Sequence, residues 1–199
     1  MDLASFQIFN GGLQFVCGVL AADFVAGLVH FSMDNYGSRS TPLVGGEIGA
    51  NRRHHIEPRL FLRNSWWKNA RSTLPIILFI AAIFYACDMI NIFSITFLIV
   101  GWNANEVHKW SHQSQKERPK LATFLQKWSV LQSPKEHNKH HSGEKNSNFC
   151  TITPFMNPLL ESIGFWRKLE FVIYFLTGKS TVPDESIAGS IARPNIERV

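Results

Sequence analysis

Cysteine, formal charge and basic residues near the N-terminus are all scarce in this sequence. Its three cysteines, Cys17, Cys87 and Cys150, lie far apart and form no C-x-x-C pair, which argues against a disulfide framework and a cysteine zinc site. Charged residues make up 18% of the chain, below the roughly 25% of an ordinary soluble domain. With 45% hydrophobic residues, disordered, collagen-like and coiled-coil classes are excluded. The length predicts one domain over residues 1–180 and a polar, mobile tail over 181–199.

Two long hydrophobic runs predict an integral membrane protein. Residues 11–31 carry Asp23 as their only formal charge, and about 20 such residues cross a bilayer. The second run, 74–100, contains a short polar turn, so we predict a hairpin of helices over roughly 73–88 and 91–113, whose first arm is short for a span. The predicted fold class is all-α, a multi-pass membrane helix bundle of about three spans. A soluble protein with apolar core helices is the less favoured alternative.

The distribution of lysine and arginine predicts the orientation of the spans. All of these residues lie between Arg39 and Arg71 or from Lys109 onward, and none lies in the hairpin turn. By the positive-inside rule, the segment 31–72 and the chain after about residue 114 face the cytoplasm. The membrane is then a bacterial inner membrane or the endoplasmic reticulum. Anionic headgroups account for these flanking charges, so we expect no nucleic-acid partner.

Residues 119–131 and 158–178 predict amphipathic helices. Their apolar residues recur at helical spacing, and the charges between them are too costly for a span. They either lie at the membrane interface, with Trp128 and Trp166 at headgroup level, or pack on the protein's own cytoplasmic cap.

The eight histidines fall in four clusters, and the predicted topology brings all four to the cytoplasmic membrane boundary. His108 and His112 are four residues apart, so they project from one face of a helix. If the last cluster is helical, its three imidazoles can point into a common volume. The clusters are His30; His54 and His55; His108 and His112; and His137, His140 and His141.

This histidine-rich cap predicts a metal site, with no catalytic residue beyond the metal ligands. Neutral imidazole is the commonest protein metal ligand, and eight exceed the three or four that one zinc needs, so two ions fit the number. Imidazole suits zinc, copper, iron and nickel, so the ligand set does not choose iron. Asp34 can ligate directly or orient His30, Asp23 can act from a second shell or pair helices, and Asn105 can bond an imidazole N–H.

Six segments, taken together, resemble the Kua/CarF lipid desaturase family, which includes plasmanylethanolamine desaturase. The resemblance runs from about residue 15 to residue 180, with the segments in order and the histidines in register. The segments are DFVAGLVHFSMDNYGS (23–38), RRHHIEP (52–58), NEVHKWSHQ (105–113), HNKHH (137–141), FCTIT (149–153) and NPLLESIGFWRKLE (157–170).

This resemblance implies a single membrane lipid-desaturase domain that uses two iron ions and O2. All eight histidines match the family's histidines and are expected to ligate iron, and Asp23 and Asp34 match its D-x6-H-x3-D element. The expected reaction converts the 1-O-alkyl ether chain of an ether phospholipid to the vinyl ether of a plasmalogen. Electrons are expected from an external carrier such as cytochrome b5 or a ferredoxin, because the chain has no dinucleotide-binding or haem-attachment motif.

Two other functions stay open at this point. The same catalyst can act on an acyl chain of phosphatidylglycerol or another phospholipid. A protein of another class, which binds or transports zinc or copper in the membrane, also uses histidines, although transport favours polar groups spaced through several spans. Arg52, Arg53, Arg59 and Arg63 are either contacts for a lipid headgroup or ordinary positive-inside residues.

Overall fold

A computed structural model describes residues 2–142 and 147–181, and these residues form ten helices and no strand. The predicted all-α fold class is therefore confirmed. Apart from Thr181, the predicted tail lies outside the described residues. In chain order the helices are α1 (Leu3–Asn35), α2 (Gly45–Ile56), α3 (Pro58–Phe61), α4 (Trp66–Ala86), α5 (Ile92–Trp102), α6 (Ala104–His112), α7 (Lys120–Lys127), α8 (Pro134–Ser142), α9 (Met156–Ser162) and α10 (Phe165–Thr177).

The long helix α1 has two dissimilar halves. Its N-terminus is capped by Asp2, whose carboxylate accepts the Ser5 N–H at 2.8 Å. The N-terminal half exposes large apolar side chains, whereas the C-terminal half buries polar ones against the rest of the protein. The buried polar residues include Asp23, His30 and Asp34. One helix thus offers a lipid-facing surface at one end and side chains for a polar site at the other.

The first arm of the predicted hairpin is longer than the sequence suggests. Helix α4 starts at Trp66 because the Ser65 hydroxyl caps it, accepting the Lys68 N–H at 3.2 Å. It has 21 residues, so the prediction of a short first arm was wrong. By length and composition, α1 and α4 are long enough to cross a membrane.

The second arm is two helices, so the prediction of one helix over 91–113 was wrong. The break lies at Asn103, whose side-chain amide donates to the Ile99 carbonyl at 2.9 Å and accepts the Trp66 indole N–H at 2.9 Å. Such side-chain bonds compete with helix continuation. Helix α5 alone has 11 residues, and the count of about three spans stays a prediction.

Helices α1 and α5 pack closely side by side. A Cβ added at Gly18 would lie 2.7 Å from the Phe93 carbonyl oxygen and 2.9 Å from the Thr96 Cβ. Only glycine allows this approach, so Gly18 fixes the spacing of the two helices.

The segment predicted as one amphipathic helix over 158–178 is divided into α9 and α10. Gly164 lies between them in the left-handed region, at φ +61°. Trp166 is 2% exposed and stacks on Phe31 at 5.2 Å between ring centroids, so of the two predicted alternatives this side chain follows packing on the protein and not a place at headgroup level. Trp128, after α7, is 67% exposed, as an interfacial side chain must be.

Candidate metal centre

The fold brings all eight histidines together from four helices. His30 lies near the end of α1, and His54 and His55 lie in the last turn of α2. The remaining five project from α6 and α8, whose faces pack on each other. The helical spacing predicted for the last cluster is present, since α8 spans Pro134–Ser142.

The first of two ligand groups consists only of imidazoles, and we call it the five-histidine group. The Nε2 atoms of His108, His112 and His137 contact one another pairwise at 2.9–3.1 Å, and that of His141 lies 3.0 Å from that of His137. All five ligand nitrogens lie within 4.8 Å of one another. The members of the group are His54, His108, His112, His137 and His141.

Hydrogen bonding alone does not satisfy these contacts. An imidazole nitrogen offers one site in the ring plane, either an N–H or a lone pair, so three Nε2 atoms in a triangle cannot all be bonded to one another. Nitrogens that share a metal ion at about 2.0–2.1 Å lie about 2.9–3.4 Å apart, depending on the coordination angle. The spacing of the five-histidine group therefore fits a metal ion.

The second group is built around a carboxylate, and we call it the mixed group: His30, Asp34, His55 and His140. The Nε2 atoms of its three imidazoles lie 3.1–3.4 Å from the Asp34 carboxylate oxygens. Asp34 Oδ2 and the Nε2 atoms of His30 and His140 are buried, and they find no hydrogen-bond partner within the described part of the chain. Buried polar atoms are costly unless paired, so this set also fits a cation.

The two groups lie side by side. His54 belongs to the five-histidine group and its neighbour His55 to the mixed group, and their ring centroids are 4.4 Å apart. His140 and His141 are divided between the groups in the same way, with centroids 5.5 Å apart. Two pairs of consecutive residues thus tie the groups together, so ions bound in the two groups would be neighbours.

Backbone carbonyls orient three of the rings. The Nδ1 atoms of His30 and His140 lie 3.1 Å from the Phe149 carbonyl and 2.7 Å from the Ser147 carbonyl, and His54 Nδ1 bonds the Asn51 carbonyl. A carbonyl only accepts, so each Nδ1 must donate its proton. Each Nε2 is then left with a lone pair directed into its group, as in metal-binding histidines generally.

Burial keeps three imidazoles of the five-histidine group, those of His54, His137 and His141, in the neutral form. The pKa values of His54 and His137 lie well below the usual imidazole value, and the pKa of His141 is lowered to about 2. The main cause is the desolvation of the charged form, followed by repulsion from neighbouring imidazoles. Neutral imidazole is the form that binds metal.

Asp23 and Asn105, the other predicted polar residues, lie outside both groups. Asp23 accepts hydrogen bonds from the segment 149–153, and the Asn105 amide donates to the Ser72 hydroxyl at 2.9 Å. The Asn105 side chain therefore joins α6 to α4.

The four arginines differ in their surroundings. Arg52 is buried and donates to the Met33 and Tyr36 carbonyls at 3.0 Å, so it ties α2 to the end of α1. The other three are exposed, and two of them pair with carboxylates. Arg53 lies 3.4 Å from Glu57, and Arg59 lies 2.6 Å from Glu117. Arg63 is the third exposed arginine.

Sequence reasoning missed two residues that support the mixed group. The Asn51 side-chain amide donates to Asp34 Oδ1 at 2.6 Å, and Phe149 supplies the carbonyl that holds His30. Asn51 lies one helical turn before His54 and His55, and this spacing could have identified it from the sequence as a neighbour of the site. Phe149 has no such spacing, and only the FCTIT resemblance pointed to its segment.

Comparisons with known proteins match most of the chain to lipid desaturases. A family model described as a lipid desaturase domain matches residues 19–184. A probable fatty acid desaturase of Acanthamoeba polyphaga mimivirus is 35% identical over 176 residues, which cover 86% of this chain and 86% of that protein. Plasmanylethanolamine desaturase 1 of Mus musculus is 36% identical over 186 residues, covering 87% of this chain and 68% of the relative. The plasmanylethanolamine desaturase of Myxococcus xanthus is 32% identical over 169 residues, covering 81% and 59%. No solved structure matches the chain.

Proposed function

Because the chain belongs to the lipid desaturase family, we propose that it converts the 1-O-alkyl ether chain of an ether phospholipid to a vinyl ether, which forms a plasmalogen. The chain is an oxidoreductase, a desaturase that acts on a lipid in a membrane. The choice of an ether lipid is supported by the mouse and Myxococcus relatives, both of which are plasmanylethanolamine desaturases.

The pair of adjacent ligand groups is the observation that carries this proposal. We assign one iron ion to the five-histidine group and one to the mixed group, so that Asp34 and all eight histidines are ligands. Two irons bound in these groups would supply, with O2, an oxidant able to remove hydrogen from an alkyl chain, which no side chain can do. The reaction balances with one O2, two electrons and two protons, and it releases two water molecules with the vinyl ether.

The residues around the groups have three tasks in this reaction. They keep the imidazoles neutral, hold the Nε2 lone pairs of His30, His54 and His140 in place and exclude water. Phe61 packs 5.1 Å from His108, and Phe149 packs 5.0 Å from His140, so aromatic rings cover parts of both groups. His137 and His140 are at most 1% exposed, which favours a reaction protected from solvent.

We place the two groups on the cytoplasmic side of a multi-pass membrane protein. The end of α1 carries His30 and Asp34, and the start of α4 is hydrogen-bonded to α6, which carries His108 and His112. The basic segment between α1 and α4 is expected inside. A phospholipid headgroup would then lie near the exposed Arg53, Arg59 and Arg63, with its chain along the spans. Cytochrome b5 or a ferredoxin would supply the electrons from the same side. Residues 1–180 would form a single lipid-desaturase domain.

Lipid mass spectrometry tests the reaction. Cells that express the chain and are fed an alkyl ether lipid should form an acid-labile vinyl-ether product that cells with the empty vector lack. The purified protein should contain two irons per chain. Stoichiometric zinc, or an unchanged ether lipid in the presence of a working electron donor, would contradict the proposal.

Desaturation of an ordinary phospholipid acyl chain is the second candidate. It is favoured by the mimivirus relative, which is a probable fatty acid desaturase and matches over most of both chains. The same experiment distinguishes the two, because a new double bond in acyl chains without any acid-labile product would select this substrate.

A further inference from the structure

The segment 149–153, which has no regular secondary structure, runs antiparallel along the buried face of α1. Ile152 and Thr153 lie at Asp23, and Cys150 lies at Gly27 one turn further on. The segment then meets His30 through the Phe149 carbonyl. All five of its residues are at most 4% exposed. A single extended segment therefore connects a polar residue deep in α1 with the mixed group at its end.

Asp23 holds this segment by three hydrogen bonds. Its Oδ1 accepts the Ile152 N–H at 2.8 Å, and its Oδ2 accepts the Thr153 N–H at 2.9 Å and the Thr153 hydroxyl at 2.7 Å. The side chain is fully buried. A carboxylate with two acceptor oxygens matches three converging donors, which an amide or a hydroxyl cannot do.

The other edge of the segment is bound by two amide side chains. Gln132 and Asn157 both donate to the Cys150 carbonyl, at 2.9 Å and 2.8 Å. The segment is thus fixed from both sides, and Asp23 is one of its two hydrogen-bonded attachments to α1, the other being His30. The hydrogen bonds of Asp23 do not join α1 to another helix, so pairing of helices does not explain them.

Phe149, at the end of the segment, touches the mixed group in two ways. Its carbonyl accepts the Nδ1 proton of His30, and its ring packs 5.0 Å from His140 and 5.9 Å from His30. Movement of the segment along α1 would therefore turn the His30 ring and loosen the packing around His140. In the described structure, the five-histidine group has no hydrogen bond to this segment.

We infer that Asp23 is a positioning residue, which sets the geometry of the mixed group through the segment 149–153. The inference rests on the proposed function, since the mixed group is taken to hold one of two irons. Asp23 touches neither group directly, and it acts by fixing the carbonyl that determines which nitrogen of His30 faces the metal.

Iron binding by matched variants tests the inference. In Asp23→Asn an amide hydrogen must face one of the N–H donors, so the segment loses at least one bond. Titration of metal-free protein with Fe(II) should show one of two irons bound about ten- to hundredfold more weakly, as for other outer-shell changes, with the second unchanged. Thr153→Val should weaken the binding of this iron less than Asp23→Asn does. Thr153→Ser, which keeps the hydroxyl, should bind iron as the wild type does. Ser94→Ala, a buried change near the hairpin turn, is the control.

Thiol labelling supplies a readout that needs no metal. With Cys17→Ser and Cys87→Ser in the background, Cys150 is the remaining cysteine, and its side chain is fully buried against Gly27. Asp23→Asn should raise the rate of Cys150 alkylation by N-ethylmaleimide at least tenfold at a temperature where circular dichroism shows intact helices. Ser94→Ala should leave the rate unchanged.

The outcomes separate this inference from the proposed function. A wild-type protein that binds no iron contradicts the proposed function. A wild type that binds two irons, with an Asp23→Asn variant that binds both with unchanged affinity, overturns the role of Asp23 alone. Equal weakening of both irons by Asp23→Asn also overturns it, because the effect would then be general destabilisation.

Discussion

The two ligand groups share two helices but differ in chemistry. Helices α2 and α8 contribute one or more histidines to each group, α6 contributes only to the five-histidine group, and α1 only to the mixed group. The five-histidine group has no carboxylate, and its nitrogens contact each other. In the mixed group every imidazole instead faces Asp34. The charge that balances a bound cation is therefore concentrated on one side of the centre.

If each group binds one ion as proposed, this asymmetry makes the two metal positions inequivalent. A carboxylate donates negative charge to its ion and binds hard cations well, whereas an all-imidazole set is neutral and tolerates several transition metals. The mixed group is also tied to the backbone through Phe149 and Ser147, so its geometry depends on segments far along the chain. Substitutions in one group at a time separate the contributions of the two groups.

Loss of a central ligand should have the largest effect. His108 Nε2 lies 2.9 Å from that of His137 and 3.1 Å from that of His112, so His108→Ala removes a nitrogen from the middle of the five-histidine group. We expect vinyl-ether formation to fall more than about 100-fold, beyond the loss seen for outer-shell changes. Lipid mass spectrometry measures this, with the exposed Lys116→Ala as control. Retained product in a well-folded variant would show that His108 is not a ligand.

Removing the carboxylate should affect the mixed group selectively. Asp34→Asn keeps the size of the side chain but removes its negative charge and places an amide hydrogen among the imidazoles. We expect the iron content to fall from two ions per chain to one, since an all-neutral set binds the cation more weakly. Metal analysis checks this against Asp88→Asn, at the hairpin turn, where φ is +54° and asparagine is well tolerated. Loss of both ions would show that the groups do not bind independently.

The helical membrane fold and the histidine clusters were predictable because they depend on local pattern. Runs of about 20 apolar residues leave few alternatives to spanning helices. The spacing of His108 and His112 places them on one face wherever that segment is helical. That the eight histidines ligate metal stays a prediction, which metal analysis of the variants tests.

The division into two groups was not predictable, because consecutive residues belong to different groups. No periodicity assigns His54 to one site and His55 to the other, and the assignment depends on how α2 meets α6 and α8. The break at Asn103 likewise depends on a tertiary contact with Trp66. The burial of Trp166 depends on its stacking with Phe31, far earlier in the chain.

Two glycines of α1 allow a comparison of its two halves, one of which carries His30 and Asp34 while the other faces outward. A Cβ at Gly27 would lie 2.6 Å from the Cys150 Sγ, whereas nothing lies within 4 Å of a Cβ at Gly12. We expect Gly27→Ala to lower the free energy of unfolding by about 1–3 kcal/mol through overpacking. Gly12→Ala should raise it by up to about 1 kcal/mol through helix propensity. Thermal unfolding in detergent measures both, and equal effects would mean that the segment 149–153 does not pack tightly on α1.

The pH dependence of metal binding should show the smallest effect. An ordinary imidazole with a pKa of about 6.5 is only about a tenth neutral at pH 5.5, so each such ligand would weaken binding about tenfold between pH 7.5 and 5.5. Burial lowers the pKa of His141 to about 2 and holds those of His54 and His137 well below the usual value. The folded five-histidine group therefore has almost no protons to release when metal binds, and its affinity should change less than about twofold over this range. Competition with a chelator of known pH dependence measures this affinity. The Asp34→Asn variant is used, because it is expected to bind metal in the five-histidine group alone. A tenfold or greater fall would mean that these rings are solvated and not enclosed.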